Sequence, residues 1–108
     1  MLQRISAPGV ILVASTLTRL ECRVRPLRTG PPSLLQDYDD FFVQVISEMV
    51  SLSDEIMDRA AEIRAQHGFK TPDAIHLAAA VISGCDVFLT NDQQLTRFSG
   101  ISVETVQP

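Results

Sequence analysis

Residues 71–80 place the strongest constraint on the fold, because they combine the chemistry of a helix start with a face of small apolar side chains. The hydroxyl of Thr71 suits a helix N-cap, and Pro72 suits the first helical position, where no N–H is needed. Asp73 then falls in the first turn, where the helix dipole stabilises a carboxylate. Taken alone, Asp73 is equally well explained as a residue that only helps to cap its helix. The side chains that would pack closely on a sheet are Ile75, Ala78, Ala79 and Ile82.

Two short apolar runs predict strands that are buried on both faces, as in a parallel sheet. They are residues 10–13 and residues 87–89. Weaker strand patterns cover residues 49–52 and 101–106, and helical spacing covers the intervening segments. Because strands alternate with helices, the sequence predicts an α/β fold with a mainly parallel sheet.

Local signals predict where several of the helices begin and end. Ser15 and Ser53 suit the N-caps of helices that start at residues 16 and 54. Pro26 is predicted to end the first of these helices. Gly68 lies where the second needs a left-handed residue after its last turn.

Length and composition indicate one compact domain. The chain has 108 residues, 45% of them hydrophobic, and a mean hydropathy of +0.15, which excludes a disordered chain. No apolar run reaches the length of a membrane span and no signal-peptide pattern opens the sequence, so the cytosol is the expected compartment. Cys22 and Cys85 fit no metal-ligand spacing and are interpreted as free thiols, with a disulfide as the alternative.

Charge is unevenly distributed along a chain whose formal net charge is −4. The middle of the sequence is acidic, whereas four arginines lie close together before it. This basic strip could contact phosphate groups. The alternative is a solvated helix face whose arginine stems pack on the protein surface. The four residues are Arg19, Arg23, Arg25 and Arg28.

Three carboxylates are candidate site residues, and two of them, Glu21 and Asp92, follow the carboxyl ends of predicted strands, where α/β proteins gather functional groups. Glu21 is on the helix after the first run, Asp73 begins its own helix, and Asp92 follows the second run. A hard cation such as Mg²⁺ or Mn²⁺ prefers oxygen ligands and would relieve the repulsion between clustered carboxylates. Spacing alone leaves this site as one hypothesis among several. His76 is interpreted as a packing or hydrogen-bonding residue rather than a base.

Three segments resemble motifs of one known family. Residues 13–21, VASTLTRLE, resemble the strand-to-helix segment of PIN domains of the toxin kind found in bacterial VapBC toxin–antitoxin pairs. Residues 71–80, TPDAIHLAAA, resemble the third acidic motif of that family, and residues 90–95, TNDQQL, resemble the fourth. The three motifs occur in the expected order and together span most of the chain.

The resemblance implies a VapC-type endoribonuclease that uses Mg²⁺ or Mn²⁺ and adopts a three-layer PIN-like sandwich. Glu21, Asp73 and Asp92 would be its catalytic and metal-binding carboxylates. Thr90 would hydrogen-bond within the site, and Arg19 and Arg23 are plausible phosphate contacts. RNA would be the substrate, a VapB-like antitoxin the partner, and a homodimer the expected assembly.

The sequence departs from the family pattern at its start. PIN domains begin with a central strand that carries the first catalytic aspartate, followed by a helix, whereas the nine residues before Val10 contain no acidic residue. We therefore expect residues 1–108 to form a single PIN-like domain without the N-terminal strand and first helix, poorly active alone or completed by a partner segment. The competing hypotheses are a non-catalytic remnant that binds an antitoxin or dimerises, and a nuclease that acts on DNA or on a particular nucleic-acid structure.

Overall fold

The computed structural model describes residues 9–106 as an α/β arrangement of four short strands and four α-helices. The elements are, in chain order, β1 (Val13–Ser15), α1 (Thr16–Arg28), α2 (Pro32–Gln44), β2 (Glu48–Val50), α3 (Asp54–His67), α4 (Thr71–Ile82), β3 (Val87–Thr90), a 3₁₀ helix (Gln93–Arg97) and β4 (Ser102–Thr105).

All strand pairs in the described residues are parallel, as predicted, but they form two separate two-stranded sheets. In the first, β1 pairs with β2 in a register that places Val13 opposite Glu48. In the second, β3 pairs with β4 in a register that places Phe88 opposite Val103. Because each strand in this part of the chain has one partner, one edge of β1 and one edge of β3 remain open.

The first strand lies later in the chain than the sequence predicts. The predicted strand at residues 10–13 was wrong, because β1 begins at Val13, and Val10 and Ile11 are 41% and 69% exposed. The carbonyl of Leu12 accepts the backbone N–H of Ser47 at 2.9 Å, and the paired residues begin only with Val13 opposite Glu48. Similarly, the predicted strand at 49–52 is β2 at Glu48–Val50.

The helix starts and ends follow the local signals with two exceptions. Ser15 and Ser53 cap α1 and α3 as predicted, and Gly68 follows α3 with a φ of 72°. Pro26 does not end α1, because a proline this late removes a single N–H and the last turn still closes through bonds to the carbonyl of Arg25.

The start of α4 also differs from the prediction by one residue. Its N-cap is Lys70 rather than Thr71, and no side-chain hydrogen bond caps it. Pro72 tolerates this position because it has no N–H to satisfy. Asp73 remains in the first turn, so the placement of its carboxylate near the helix N-terminus is confirmed.

The core lies mainly between α3 and α4, and both two-stranded sheets pack against it. Leu77 on α4 is 0% exposed, and the small residues beside it let α4 approach its neighbours closely. Val50 of β2 and Phe88 of β3 pack against the same apolar cluster. The β1–β2 sheet and the β3–β4 sheet, the two half-sheets, therefore pack against the same layer of helices. The buried residues of α3 and α4 are Ile56, Ala60, Ile63, Ala74, Ile75, Leu77, Ala78 and Ala79.

Across residues 9–106, none of the helices is both long enough and apolar enough to cross a membrane. Cys22 and Cys85 are free thiols, as the sequence favoured.

Candidate active site between the two half-sheets

A cavity of about 940 Å³ lies between the two half-sheets. Both β1 and β3 line it, and each has one edge with no strand partner among the described residues. Ala79 and Ala80 of α4 also line it, and their small side chains help to keep the space open. The carboxyl ends of β1 and β3 contribute to the same wall as the first turns of α1 and α4. The cavity is therefore a concave site of the kind that α/β proteins use for ligands.

Glu21 reaches this cavity from α1 and is held by a histidine. His76 Nε2 lies 2.7 Å from Glu21 Oε1, and the two side chains are 19% and 45% exposed. The Nδ1 atom of His76 lies 3.5 Å from the hydroxyl of Thr18. The prediction that His76 is a hydrogen-bonding residue is confirmed, and its main partner is one of the predicted site carboxylates.

The Glu21 carboxylate also influences its neighbour in the chain. Burial, together with the negative charge of Glu21, raises the pKa of the Cys22 thiol. At neutral pH this favours the uncharged thiol over the thiolate, which is the reactive form of cysteine. Cys22 is therefore a poor nucleophile.

Asp73 lines the same cavity from the first turn of α4. Its half-buried carboxylate lies near the N-terminal end of that helix, where the unpaired backbone N–H groups favour negative charge. The structure thus brings two of the three predicted carboxylates, Glu21 and Asp73, onto one cavity from two different helices.

Asp92 lies at the end of β3 but is not among the residues that line the cavity. Its Oδ1 atom accepts a hydrogen bond of 2.9 Å from the backbone N–H of Gln94 and so caps the 3₁₀ helix. The backbone N–H of Asp92 donates to the Thr90 hydroxyl at 3.0 Å. Thr90 and Asn91 do line the cavity. Asp92 therefore adjoins the site while one of its oxygens is engaged elsewhere.

Comparison of the sequence with models of known protein families identifies the family of this chain. A model of the PIN domain family matches residues 2–101, which is most of the sequence. The chain belongs to the PIN domain family. A search of the curated proteins found no match.

A solved structure shares the PIN fold at low sequence identity. The chain is similar to one in the crystal structure of VapBC2 from Rickettsia felis bound to a DNA fragment from their promoter. The TM-score is 0.78 and the identity is 15%, and the match covers 95% of this chain and 80% of that chain. The α/β class and PIN-like architecture predicted from the sequence are confirmed by both comparisons.

The cavity of this PIN domain offers oxygen ligands, which a hard divalent cation prefers, but it offers few of them. Within residues 9–106, no group of three or more histidine, cysteine, aspartate or glutamate side chains is close enough to hold a metal ion. Glu21 and Asp73 share the cavity with the hydroxyl of Thr90 and the amide of Asn91, while two further acidic residues, Glu48 and Asp86, line it where β2 and β3 begin. Mg²⁺ commonly keeps several waters and binds through one or two carboxylates, so these oxygen donors fit such an ion.

The two arginines predicted to contact phosphate lie on α1 and interact with Asp39 of α2. Arg23 forms a close ion pair with the Asp39 carboxylate, and Arg19 lies 3.7 Å from the same oxygen. Arg23 therefore helps to join α1 to α2. The Arg19 side chain is more exposed, at 48% against 25% for Arg23, so it has more freedom to meet a phosphate group.

Sequence reasoning missed Ser15 and Thr18 as residues of the site. Ser15 is the buried N-cap of α1, and its Oγ lies 3.4 Å from the hydroxyl of Thr18. Thr18 precedes Glu21 by three residues, which places both on one side of α1. That spacing was visible in the sequence, but its significance depends on His76, which is 55 residues beyond Glu21.

Proposed function

We propose that this PIN domain is the endoribonuclease toxin of a VapBC-type toxin–antitoxin pair, hydrolysing RNA phosphodiesters with Mg²⁺ or Mn²⁺. The observation that carries the proposal is the placement of Glu21 and Asp73 on one cavity beyond two parallel strands. Membership of the PIN family supports nuclease activity at the level of the family. The similar fold within a VapBC2 structure supports an antitoxin partner of the VapB kind.

In this proposal the two carboxylates bind and orient the cation, while Thr90 orients water or a phosphate oxygen at the edge of the cavity. When bound, such an ion stabilises the negative charge that develops on a phosphodiester under attack by water. Asp92 is proposed as a third acidic residue, because capping the 3₁₀ helix engages only Oδ1 and leaves its second oxygen available. Arg19 would contact phosphate, and Arg23 would do so while joining α1 to α2.

The test is cleavage of a labelled single-stranded RNA with Mg²⁺, with Mn²⁺ and with a chelator. Glu21→Gln should abolish cation-dependent cleavage, because it removes one of the two carboxylates proposed to hold the cation. Glu55→Gln is the matched control, since Glu55 is an exposed residue of the first turn of α3. Single-stranded DNA of the same sequence distinguishes a ribonuclease from a DNA nuclease. Cation-independent cleavage that survives Glu21→Gln would refute the proposed mechanism.

A second function is favoured by the open strand edges. β1 and β3 each have an unpaired edge and line one cavity, and the described residues offer fewer than three clustered metal ligands. We propose that an added strand which pairs with both edges and carries an acidic residue completes this site. Without that strand, the domain would act as a non-catalytic module that binds an antitoxin or dimerises.

The comparison that separates the two functions uses the same domain with and without an upstream segment. The added segment is chosen to contain an apolar strand that ends in aspartate. Cleavage of RNA is then measured with Mg²⁺ for both proteins. We expect the longer protein to be much more active. Equal activity would count against completion by an added strand, and inactivity of both would favour the binding module.

Partner binding is tested separately from catalysis. Leu20, Val24 and Leu27 form an exposed apolar stripe on α1, which offers surface for an antitoxin or a second copy. We propose a cytosolic homodimer that binds a VapB-like protein encoded by a neighbouring gene. Light scattering of the purified domain and co-purification with the product of that gene test the dimer and the partner.

A further inference from the structure

We propose that His76, supported by Thr18, positions the Glu21 carboxylate for cation binding. This inference rests on the proposed function, because it concerns a ligand of the same site. His76 lies on α4 and Glu21 on α1, so their 2.7 Å contact joins the two helices that carry the proposed cation ligands Glu21 and Asp73. In the proposal His76 does not touch the cation or the substrate and acts only through Glu21.

The direction of the hydrogen bonds follows from the chemistry of the groups. An ionised carboxylate only accepts, so Nε2 of His76 carries the proton and donates to Glu21 Oε1. In a neutral imidazole Nδ1 is then an acceptor, so the hydroxyl of Thr18 donates to it across 3.5 Å. The Thr18 proton is thereby engaged, which leaves the hydroxyl of Ser15 to donate to Thr18 Oγ1 across 3.4 Å.

The anchor of this chain of hydrogen bonds is the start of α1. Ser15 is 5% exposed, and its Oγ accepts the backbone N–H of Thr18 at 3.2 Å, which fixes the N-cap. The longer contacts through Thr18 connect this N-cap to Nδ1 of His76. The shortest bond in the series then restrains the Glu21 side chain, which is otherwise 45% exposed. Its second oxygen is left for the cation.

A restrained ligand binds a cation more tightly than a free one, because less side-chain entropy is lost on binding. Removing residues that orient metal ligands typically weakens metal affinity by about 10-fold to 100-fold. The opposite hypothesis is that His76 occupies Glu21 and competes with the cation. The two hypotheses predict opposite signs for the same substitution.

The first experiment measures Mn²⁺ affinity by calorimetry in the protein without RNA. We expect His76→Leu to weaken Mn²⁺ binding by about 10-fold or more. His76→Gln should restore most of the affinity, because its amide retains an N–H donor. Thr18→Val should weaken binding less than His76→Leu, while Thr18→Ser, which keeps the hydroxyl, should match the wild type. Thermal unfolding of each variant checks that the fold is retained.

Unchanged or tighter Mn²⁺ binding by His76→Leu would overturn the proposal, since His76 would then be neutral or a competitor. Equal weakening by His76→Leu and His76→Gln would also overturn it, because that result indicates a packing role. If His76→Leu does not fold, the Mn²⁺ affinities of the two Thr18 variants test the proposal instead. Equal Mn²⁺ binding by Thr18→Val and Thr18→Ser would overturn the role of Thr18.

A second experiment is independent of metal binding and of nuclease activity. In the metal-free protein, the proton on His76 Nε2 should give a slowly exchanging NMR resonance that Glu21→Ala removes and Asp73→Asn retains. Absence of this resonance in the wild type, or its persistence in Glu21→Ala, would overturn the positioning role. If the resonance behaves as expected but the wild type binds no Mn²⁺, the proposed metal site fails while the hydrogen bond to Glu21 stands.

Discussion

Asp73→Asn separates the functional role of this carboxylate from its role at the start of α4. Asp73 is the third residue after the N-cap Lys70, and its side chain lines the cavity. Asparagine has nearly the same size and also suits helix N-termini, so the substitution removes the negative charge with little change in shape. If Asp73 only stabilised its helix, the substitution would have a small effect on stability and none on activity.

The expected cost in stability follows from the position of Asp73 in the first turn. A carboxylate there stabilises a helix by about 0.3–1 kcal/mol through the macrodipole. For a domain of this size, a loss of that amount lowers the melting temperature by roughly 1–4 °C. The effect on catalysis should be larger, because one of the two carboxylates proposed to hold the cation is lost. We expect RNA cleavage to fall by at least about 100-fold, or about 2.7 kcal/mol of activation free energy.

The assay is the initial rate of Mg²⁺-dependent RNA cleavage, measured beside thermal unfolding, in whichever form of the protein cleaves fastest. Asp54→Asn is the matched control, because Asp54 is the first residue of α3 and is exposed. It should lose a similar amount of stability and keep full activity. Wild-type cleavage by Asp73→Asn would refute its role as a ligand. Equal loss of activity in both variants would show that lost stability, rather than a lost ligand, explains the effect.

Three further predictions concern the fold and the thiol. Leu77→Ala should lower the free energy of unfolding in urea by about 2–5 kcal/mol, because Leu77 is 0% exposed, whereas Val43→Ala at an 83% exposed position should change it by less than about 0.5 kcal/mol. Ser53→Ala should cost about 1 kcal/mol, because the Ser53 hydroxyl accepts the N–H of Ile56 at 3.2 Å. Ser51→Ala, outside any helix, should cost much less in the same urea titration. Because burial and Glu21 raise the pKa of Cys22, its thiol should react with a disulfide reagent more slowly in the native protein than in urea, and equal rates would contradict this.

Local signals in the sequence were sufficient for the helices that have strong caps and periodic apolar residues. The helix from Asp54 to His67 was predicted with its N-cap Ser53 and its left-handed Gly68, because both signals act within a few residues. The strands were placed less accurately. A run such as residues 10–13 indicates a strand, but the residues that pair are decided by the partner, and β2 begins only at Glu48.

For the candidate site, the sequence by itself determined which residue types were available and at which helix starts or strand ends they lay. It indicated Glu21, Asp73 and Asp92 through local position and through resemblance to PIN motifs. Only the tertiary structure decided that Glu21 and Asp73 share a cavity that Asp92 does not line. The physical reason is that hydrogen bonds such as His76 to Glu21 join residues far apart in the chain, so they depend on how α1 and α4 pack.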